Sequence, residues 1–161
     1  MDIFVYAMQM EKDGEDLYRN LAKQATSVGV RNILTTLANA EVKHYNYLKN
    51  LAEGVSFDYS NATNITEINN LFTDMKKEDK TALLNETQID LYRKALEIEN
   101  KSTQFYRDKF AELDNPFQKS ILEHLAKEEE KHAEIIQVII DFIREPEKVD
   151  NAEFPHLIEE F

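Results

Sequence analysis

The sequence predicts an all-α protein, a four-helix bundle made of two antiparallel helix pairs joined by a long crossover. Its 161 residues include only three Gly and three Pro, and 31% of them are charged, which is typical of long helices rather than of strands and turns. One pattern also occurs twice, 88 residues apart, and each copy contains Glu-x-x-His, at Glu41 to His44 and at Glu129 to His132. Internal repetition of this kind indicates two similar helix pairs.

The first helix pair is predicted at about residues 2–25 and 28–53. In both segments, apolar and small residues recur at alternating steps of three and four, so each helix has one buried stripe. Gly54 follows the second segment and is well placed to end it. Because only a few residues around Thr26 and Ser27 separate the segments, the two helices are expected to pack antiparallel.

The polar, broken stretch at residues 54–84 is predicted to be the crossover between the pairs. It contains a predicted short helix near residues 66–78. The apolar side of this helix consists of Ile68, Leu71, Phe72 and Met75. A connection of this length can return along a helix of about 25 residues, which covers roughly 37 Å at 1.5 Å per residue.

The second helix pair is predicted at about residues 87–113 and 116–144. Asn115 as the N-cap, Pro116 at the first helical position and Gln118 three residues after the cap form a recognisable helix start. The stripe of this last helix repeats that of the second helix. The pair is therefore expected to resemble the first one.

Length, charge and cysteine content restrict the class of protein. Residues 1–145 are expected to form one domain, followed by a C-terminal tail at residues 146–161. A net charge of -12 disfavours nucleic acid or an anionic membrane as a partner. No cysteine is present, which excludes iron-sulfur or rubredoxin-type centres held by these residues. Neither a secretory signal nor an apolar run of the ~20 residues that a membrane span needs is present, so a cytoplasmic location is expected.

Six acidic and imidazole side chains occupy buried-stripe positions that otherwise hold apolar or small residues. They are Glu11, Glu41, His44, Glu99, Glu129 and His132. An unpaired carboxylate in a core costs several kcal/mol, and four of them close together would also repel one another. Bound cations are therefore expected to neutralise them. Because mixed oxygen and imidazole ligands suit iron or manganese, we expect a pair of iron or manganese ions or a mixed pair.

The spacing of these residues suggests a role for each. Glu-x-x-His places both side chains on one helix face, one turn apart, so that each motif offers an oxygen and a nitrogen. On spacing alone, Glu11 and Glu99 can serve as terminal or bridging carboxylates. In a site that reacts with dioxygen or peroxide, Glu41 and Glu129 would most naturally bridge the ions, Glu11 and Glu99 would cap one ion each, and His44 and His132 would complete the pair.

Four neighbouring residues have two open interpretations each. Tyr18 and Tyr106 lie seven residues after Glu11 and Glu99, and they are either core aromatics or hydrogen-bond partners of the ligating carboxylates. Gly14 and Ser102 each lie three residues after a ligand. They either leave space beside the metals for dioxygen, peroxide or water, or allow close helix packing.

Five other polar residues are not expected to bind the metals directly. Glu128 and Glu130 flank Glu129 but point off its stripe, so both are expected to be solvated. His124 and His156 have no partner motif and are interpreted as ordinary residues of the helix surface and the tail. Glu15 has Thr103 as its counterpart in the repeat, which favours a solvated or hydrogen-bonding role.

At these residues the chain resembles the rubrerythrin family of ferritin-like proteins. The segments that carry the resemblance are Met10 to Tyr18, Leu37 to His44, Ile98 to Tyr106 and Leu125 to His132. The resemblance covers about residues 4–52 and 88–143. It implies a ferritin-like four-helix bundle, a non-haem di-iron site that reacts with hydrogen peroxide or dioxygen, and a homodimer. The six ligands also match the set of ferritin-like di-iron or di-manganese bundles.

Two departures from the family pattern affect the expected activity. Rubrerythrins proper have a cysteine-ligated rubredoxin-type domain that supplies electrons, and without one the electrons are expected from a separate donor such as rubredoxin. They also typically have a further glutamate three residues after the third-helix ligand, which exchanges with a histidine as the irons change oxidation state. Ser102 stands at that position here, and the six-ligand set is closer to that of bacterioferritin.

Three functions compete on the sequence alone. The leading hypothesis is a di-iron oxidoreductase that reduces hydrogen peroxide or dioxygen. The second is iron binding through ferroxidase activity, which uses the same site but requires a large hollow shell. The third is a non-catalytic helical module that docks on a partner through its tail. The apolar tail residues are Phe154, Leu157, Ile158 and Phe161.

Overall fold

The computed structural model describes residues 2–79 and 88–151 of the chain. These residues form helices and no strand. In chain order the helices are α1 (Ile3–Gln24), α2 (Val28–Ala52), α3 (Ile65–Met75), α4 (Ile89–Glu112), α5 (Pro116–Arg144) and α6 (Lys148–Asn151). None of the described helices is long and apolar enough to cross a membrane.

The four long helices begin and end close to their predicted positions. The carboxylate of Asp2 accepts hydrogen bonds from backbone N–H groups of the first turn of α1. At the start of α5, Asn115 accepts a hydrogen bond of 3.0 Å from the backbone N–H of Gln118, and Pro116 occupies the first turn. Gly54, just after α2, has a φ of 70°, a left-handed conformation that favours glycine. The predicted start and stop signals are therefore confirmed.

The helices pack as two pairs. α1 packs along α2, and α4 packs along α5. Each pair is joined by only three residues, 25–27 in the first and 113–115 in the second, so its members run antiparallel. Contacts of α1 with α4 and of α2 with α5 close the bundle. The predicted four-helix bundle is confirmed.

The crossover is fastened to the first helix pair at its far end. The carboxylate of Glu78 accepts hydrogen bonds from the backbone N–H groups of Val28 and Gly29 and from the hydroxyl of Ser27. α3 approaches α2 so closely that a Cβ on Gly29 would lie 2.2 Å from Cγ of Met75. The glycine therefore permits this contact between the crossover and the start of α2.

Two apolar clusters fill the described part of the bundle. One includes Leu21, Leu34, Phe72 and Ile139. The other includes Leu48, Tyr106, Ile121 and Leu125. Along every long helix, the predicted ligand positions fall between the residues of one cluster and those of the other. The six predicted ligand side chains thus have an apolar cluster on either side along the bundle axis, which keeps them away from water.

The predicted C-terminal tail begins with a segment that contacts the bundle. α6 packs on α5, and Val149 is buried in the same cluster as Leu21. The apolar residues proposed to dock on a partner lie outside the described residues. They are Phe154, Leu157, Ile158 and Phe161.

Candidate metal centre

The four long helices bring all six predicted ligand side chains together in the middle of the bundle. α1 provides Glu11, α2 provides Glu41 and His44, α4 provides Glu99, and α5 provides Glu129 and His132. Every one of the six is at most 2% exposed. The buried stripes inferred from the sequence therefore face one another, and their charged members meet in the layer between the two apolar clusters.

The ligand atoms of these side chains fall into two groups of four. One group is Glu11, Glu41, His44 and Glu129, and the other is Glu41, Glu99, Glu129 and His132. Within each group, the atoms lie within 4.8 Å of one another. Because Glu41 and Glu129 belong to both groups, the arrangement defines two adjacent positions that share two carboxylates. The repeat offset relates the positions, since it exchanges the members that they do not share.

Both imidazole rings point Nδ1 into the carboxylate cluster. His44 Nδ1 lies 2.9 Å from Glu129 Oε1 and 3.4 Å from Glu11 Oε2. His132 Nδ1 lies 2.9 Å from Glu41 Oε1 and 3.5 Å from Glu129 Oε2. The two rings stack with their centroids 5.7 Å apart. Nδ1 is therefore the nitrogen that each ring can offer to a metal, and Nε2 is left for partners in the protein.

Two buried tyrosines cross between the halves of the repeat. The hydroxyl of Tyr18 donates to Glu99 Oε1, and the hydroxyl of Tyr106 donates to Glu11 Oε1, each at 2.5 Å. Each tyrosine thus holds the carboxylate that belongs to only one of the two positions. Both also belong to the apolar clusters, so they are core aromatics and hydrogen-bond partners at once.

Burial and mutual repulsion shift the proton affinities of the cluster. Burial, together with the charges of Glu11 and Glu129, raises the pKa of Glu41 well above its ordinary value. Burial would also raise the pKa of Glu11, but the charge of His44 prevails and lowers it to about 2. Burial opposes the protonation of His132, yet hydrogen bonds and charges from Glu129 and Glu99 raise its pKa to about 10. Protons shared among these groups therefore balance the charge of the metal-free cluster.

The donor set fits a pair of metal ions. Oε2 of Glu11 and Oε2 of Glu99 are buried and have no hydrogen-bond partner within the described part of the chain. Among residues 2–79 and 88–151, the ion pairs of the four carboxylates are with histidines and never with lysine or arginine. Bound metal ions would coordinate the oxygen atoms that lack a hydrogen-bond donor. They would also neutralise the negative charge of the carboxylates. Carboxylate and imidazole ligands together suit iron or manganese.

Metal affinity is expected to rise with pH. In the metal-free protein the pKa of His132 is raised from 6.5 to about 10, so this imidazole holds a proton at neutral pH that a metal must displace. Between about pH 6 and 8, affinity should therefore rise about tenfold per pH unit for each displaced proton, which titrations with a metal at several pH values would measure.

The stability of the metal-free protein is expected to fall as pH rises, whereas metal affinity is expected to rise. The opposite signs distinguish the two effects. The raised pKa of His132 stabilises the metal-free fold fully below pH 6.5, and this contribution is lost as pH rises through about 10. The melting temperature of chelated protein should therefore fall slightly over the range in which metal affinity rises. Affinity that is independent of pH would contradict ligation by an imidazole that must first lose a proton.

A cleft between α1 and α2 leads from the surface to the carboxylates. Its volume is about 520 Å³, which lies within the range of small-molecule sites. Glu11 and Glu41 line it, together with the exposed Val5 and Lys12. A Cβ on Gly14 would lie 3.4 Å from the carboxylate of Glu41, which is an ordinary van der Waals contact, so helix packing alone does not require a glycine here. Both interpretations of Gly14 therefore stay predictions.

Glu128 is buried, and the prediction that it is solvated is wrong. Its Oε1 accepts hydrogen bonds of 2.9 Å from His44 Nε2 and from the hydroxyl of Thr63, and its Oε2 accepts one of 2.7 Å from the backbone N–H of Ala62. Burial would raise the pKa of Glu128, but His44 and His124 lower it below its ordinary range. The crossover passes over this face of α5, which periodicity within one helix could not reveal. By contrast, Glu130 is 44% exposed and pairs with Arg107.

His124 is half-buried and is not an ordinary surface residue. Its Nε2 lies 2.9 Å from Glu128 Oε2, one turn further along α5, and its ring packs against Tyr59 of the crossover. Thr63 of the crossover also contacts the site, because its hydroxyl lies 2.7 Å from His132 Nε2. The spacing of His124 and Glu128 at i and i+4 was the only signal in the sequence for this contact.

Fold and site together define a helical bundle with a buried cluster of carboxylate and imidazole groups that could hold metal. A family model described as Rubrerythrin matches residues 2–140. The chain belongs to the rubrerythrin family, and its bundle is therefore of the ferritin-like type. Membership of this family supports a di-iron protein. Comparison with curated proteins and with solved structures gave no significant match.

Proposed function

We propose that this chain is a non-haem di-iron oxidoreductase that reduces hydrogen peroxide or dioxygen with electrons from a separate donor. The observation that carries the proposal is the pair of four-residue ligand groups that share Glu41 and Glu129. Family membership over residues 2–140 supports it independently. A single shared cluster, rather than two separate sites, is what a reaction between two metals and one small molecule requires.

The residues have distinct proposed roles. Glu41 and Glu129 would hold both ions, while His44 and His132 would each hold one ion through Nδ1. Glu11 and Glu99 would each hold one ion as well. Tyr18 and Tyr106 hold these capping carboxylates in place through their hydroxyl groups.

The protein contributes access, a dry environment and protons near the reacting atoms. A bound di-iron pair supplies the two electrons that cleave an O–O bond. The cleft between α1 and α2 gives a molecule as small as peroxide a route to Glu11 and Glu41. The apolar clusters on either side exclude bulk water. Tyr18 and Tyr106 are the O–H donors in contact with the ligand carboxylates.

The electron donor and the assembly are part of the proposal. These 161 residues contain no cysteine and therefore hold no thiolate-bound iron centre themselves, and we propose that a separate donor such as rubredoxin reduces the di-iron site. We propose a homodimer, as the family resemblance implies, and a cytoplasmic location. Measurement of the native mass tests the dimer.

Reduced protein is expected to react once with hydrogen peroxide and then to stop. The chain holds two metal electrons and has no cysteine centre to replace them, so turnover needs an added donor. The measurement is stopped-flow oxidation of the ferrous protein by peroxide and separately by air, followed by addition of rubredoxin, its reductase and NADH. Peroxide should react faster than air, and NADH should be consumed steadily only when rubredoxin is present.

Ferroxidase activity is the second candidate, and Ser102 is the observation that favours it. This buried residue stands where the family's exchanging glutamate would be, so the six ligands lack a seventh carboxylate. A faster reaction with air, which continues as ferrous iron is added, would favour ferroxidase and contradict the peroxidase proposal. A shell of many subunits would support the same conclusion, whereas a dimer would oppose it.

The third candidate, a non-catalytic helical module, differs from the other two in its expected metal binding. Such a module has no need of metal, so protein purified without added metal and then offered ferrous iron would bind none. Binding of about two ions per chain would exclude this alternative, because a docking module needs no buried metal site. Two ions are the number expected for the two ligand groups of the described residues.

A further inference from the structure

One buried carboxylate outside the proposed ligands connects both histidines with the crossover. Glu128 Oε1 lies 2.9 Å from His44 Nε2 and 2.9 Å from the hydroxyl of Thr63. The same hydroxyl lies 2.7 Å from Nε2 of His132. Glu128 Oε2 lies 2.7 Å from the backbone nitrogen of Ala62. Glu128 itself is fully buried, so no water competes for these bonds.

The directions of these hydrogen bonds follow from the chemistry of the groups. An ionised carboxylate can only accept, so His44 Nε2 and the hydroxyl of Thr63 both donate to Glu128. Thr63 has only one hydroxyl proton, and because that proton goes to Glu128, its oxygen accepts from His132 Nε2. Both rings thus carry a proton on Nε2 and turn Nδ1 toward the carboxylate cluster.

The two rings nevertheless have different partners. His44 donates directly to a carboxylate, whereas His132 donates to a neutral hydroxyl. The sequence repeat explains the difference, because the counterpart of Glu128 in the first half is Ala40, which cannot accept a hydrogen bond. Thr63 of the crossover, which lies outside the repeat, takes the place that a second carboxylate would have.

We infer that Glu128 is a positioning residue that makes the two metal positions unequal, so that the His44 position binds a divalent cation more tightly than the His132 position. The inference rests on the proposed two-metal site. A carboxylate acceptor fixes the ring and increases the electron density at Nδ1 more than a hydroxyl does. Loss of such an outer partner typically lowers metal affinity about 10-fold to 100-fold.

Cobalt(II) titration of metal-free protein, followed by visible absorption, tests the inequality. Wild-type protein should load in two steps, the first at least about tenfold tighter than the second. Glu11→Ala and Glu99→Ala assign the steps, because each removes a ligand that only one position has and frees one tyrosine hydroxyl. Glu99→Ala should retain the tight ion, and Glu11→Ala should retain only the weak one.

Substitutions at the outer partners test the cause of the inequality. Glu128→Gln should weaken the ion that remains in the Glu99→Ala background about 10-fold to 100-fold, and the ion in the Glu11→Ala background clearly less. Thr63→Val should do the reverse, since it removes the partner of His132, whereas Glu128 loses one donor but keeps its contact with His44. Glu130→Gln is the matched control, because this neighbouring carboxylate is 44% exposed and contacts no ligand histidine.

The outcomes separate failure of the inference from failure of the proposed site. Wild-type protein that binds no cobalt would overturn the two-metal site itself. Two ions of equal affinity, or an equal loss at both positions in Glu128→Gln, would overturn the inference and leave the site intact. Should Glu128→Gln fail to fold, Thr63→Val decides alone: an unchanged His132 position in that variant overturns the inference as well.

Discussion

Protein carrying Glu129→Ala or Glu41→Ala is expected to bind neither metal ion. Each of these carboxylates belongs to both ligand groups, so its removal takes one ligand from each position at once. We expect affinity to fall by more than about 100-fold, the upper end of what loss of an outer partner costs. Metal analysis after gel filtration in ferrous iron should show a fall from about two ions per chain to nearly none.

The melting temperatures of the metal-free variants show whether a substitution removes a metal ligand or disrupts the fold. The pKa values of Glu41 and Glu129 are raised by burial and by neighbouring carboxylates, so these charges oppose folding in the absence of metal. Chelated Glu129→Ala should therefore melt no lower than the chelated wild type, apart from the cost of the cavity. Glu130→Ala, which removes an exposed carboxylate from the same helix, should bind metal normally. An equal loss of bound metal in Glu41→Ala, Glu129→Ala and Glu130→Ala would contradict the assignment of Glu41 and Glu129 as the shared ligands.

Chelated protein is expected to melt well below metal-loaded protein. Binding to the folded state alone stabilises it by about 4 kcal/mol at a free metal concentration one thousand times the dissociation constant. For a chain of 161 residues, each kcal/mol shifts the melting temperature by about 2 to 4 °C, so we expect a difference of roughly 8 to 16 °C. Differential scanning calorimetry with ferrous iron under anaerobic conditions measures it.

The same comparison in a variant without the shared carboxylates provides the control. Protein in which Glu41 and Glu129 are both replaced by Ala should melt at one temperature whether or not iron is present. Identical melting of loaded and chelated wild type would mean that protons and hydrogen bonds alone satisfy the cluster, and it would remove the physical reason for the metals.

The cluster of six acidic and imidazole side chains could be predicted from sequence because its signal is local and repeated. Glu-x-x-His fixes the relative position of two side chains within one turn of helix, and the buried stripe fixes which face they occupy. The second copy at the same offset shows that the two faces belong to one site. Helix ends followed from equally local rules, such as the N-cap at Asn115 and the left-handed Gly54.

Contacts between the crossover and α5 could not be predicted in this way. Glu128 lies off the stripe of α5, and nothing in its own helix indicates that Ala62 and Thr63 cover it. The repeat gives no help either, because its counterpart is Ala40 and the crossover has no second copy. A residue that becomes buried through a long-range contact of an irregular segment carries no periodic signal. His124 was misinterpreted for the same reason.

The positions of Tyr18 and Tyr106 could be predicted only in part. Their spacing from Glu11 and Glu99 placed them on the correct helix faces, but it left the hydrogen-bond partner open. Tyr18 bonds to the carboxylate of the other half of the repeat, and so does Tyr106. Which carboxylate each hydroxyl reaches depends on how the two pairs pack, and the sequence of one helix does not contain that information.

Anomalous diffraction at the iron edge, from crystals of the iron-loaded protein, tests the central claim most directly. Two peaks are expected, about 3.5 to 4 Å apart, with carboxylate oxygens of Glu41 and Glu129 beside both. His44 Nδ1 should contact one peak and His132 Nδ1 the other. A single peak, or iron bound only at exposed carboxylates away from these residues, would contradict the two-metal centre.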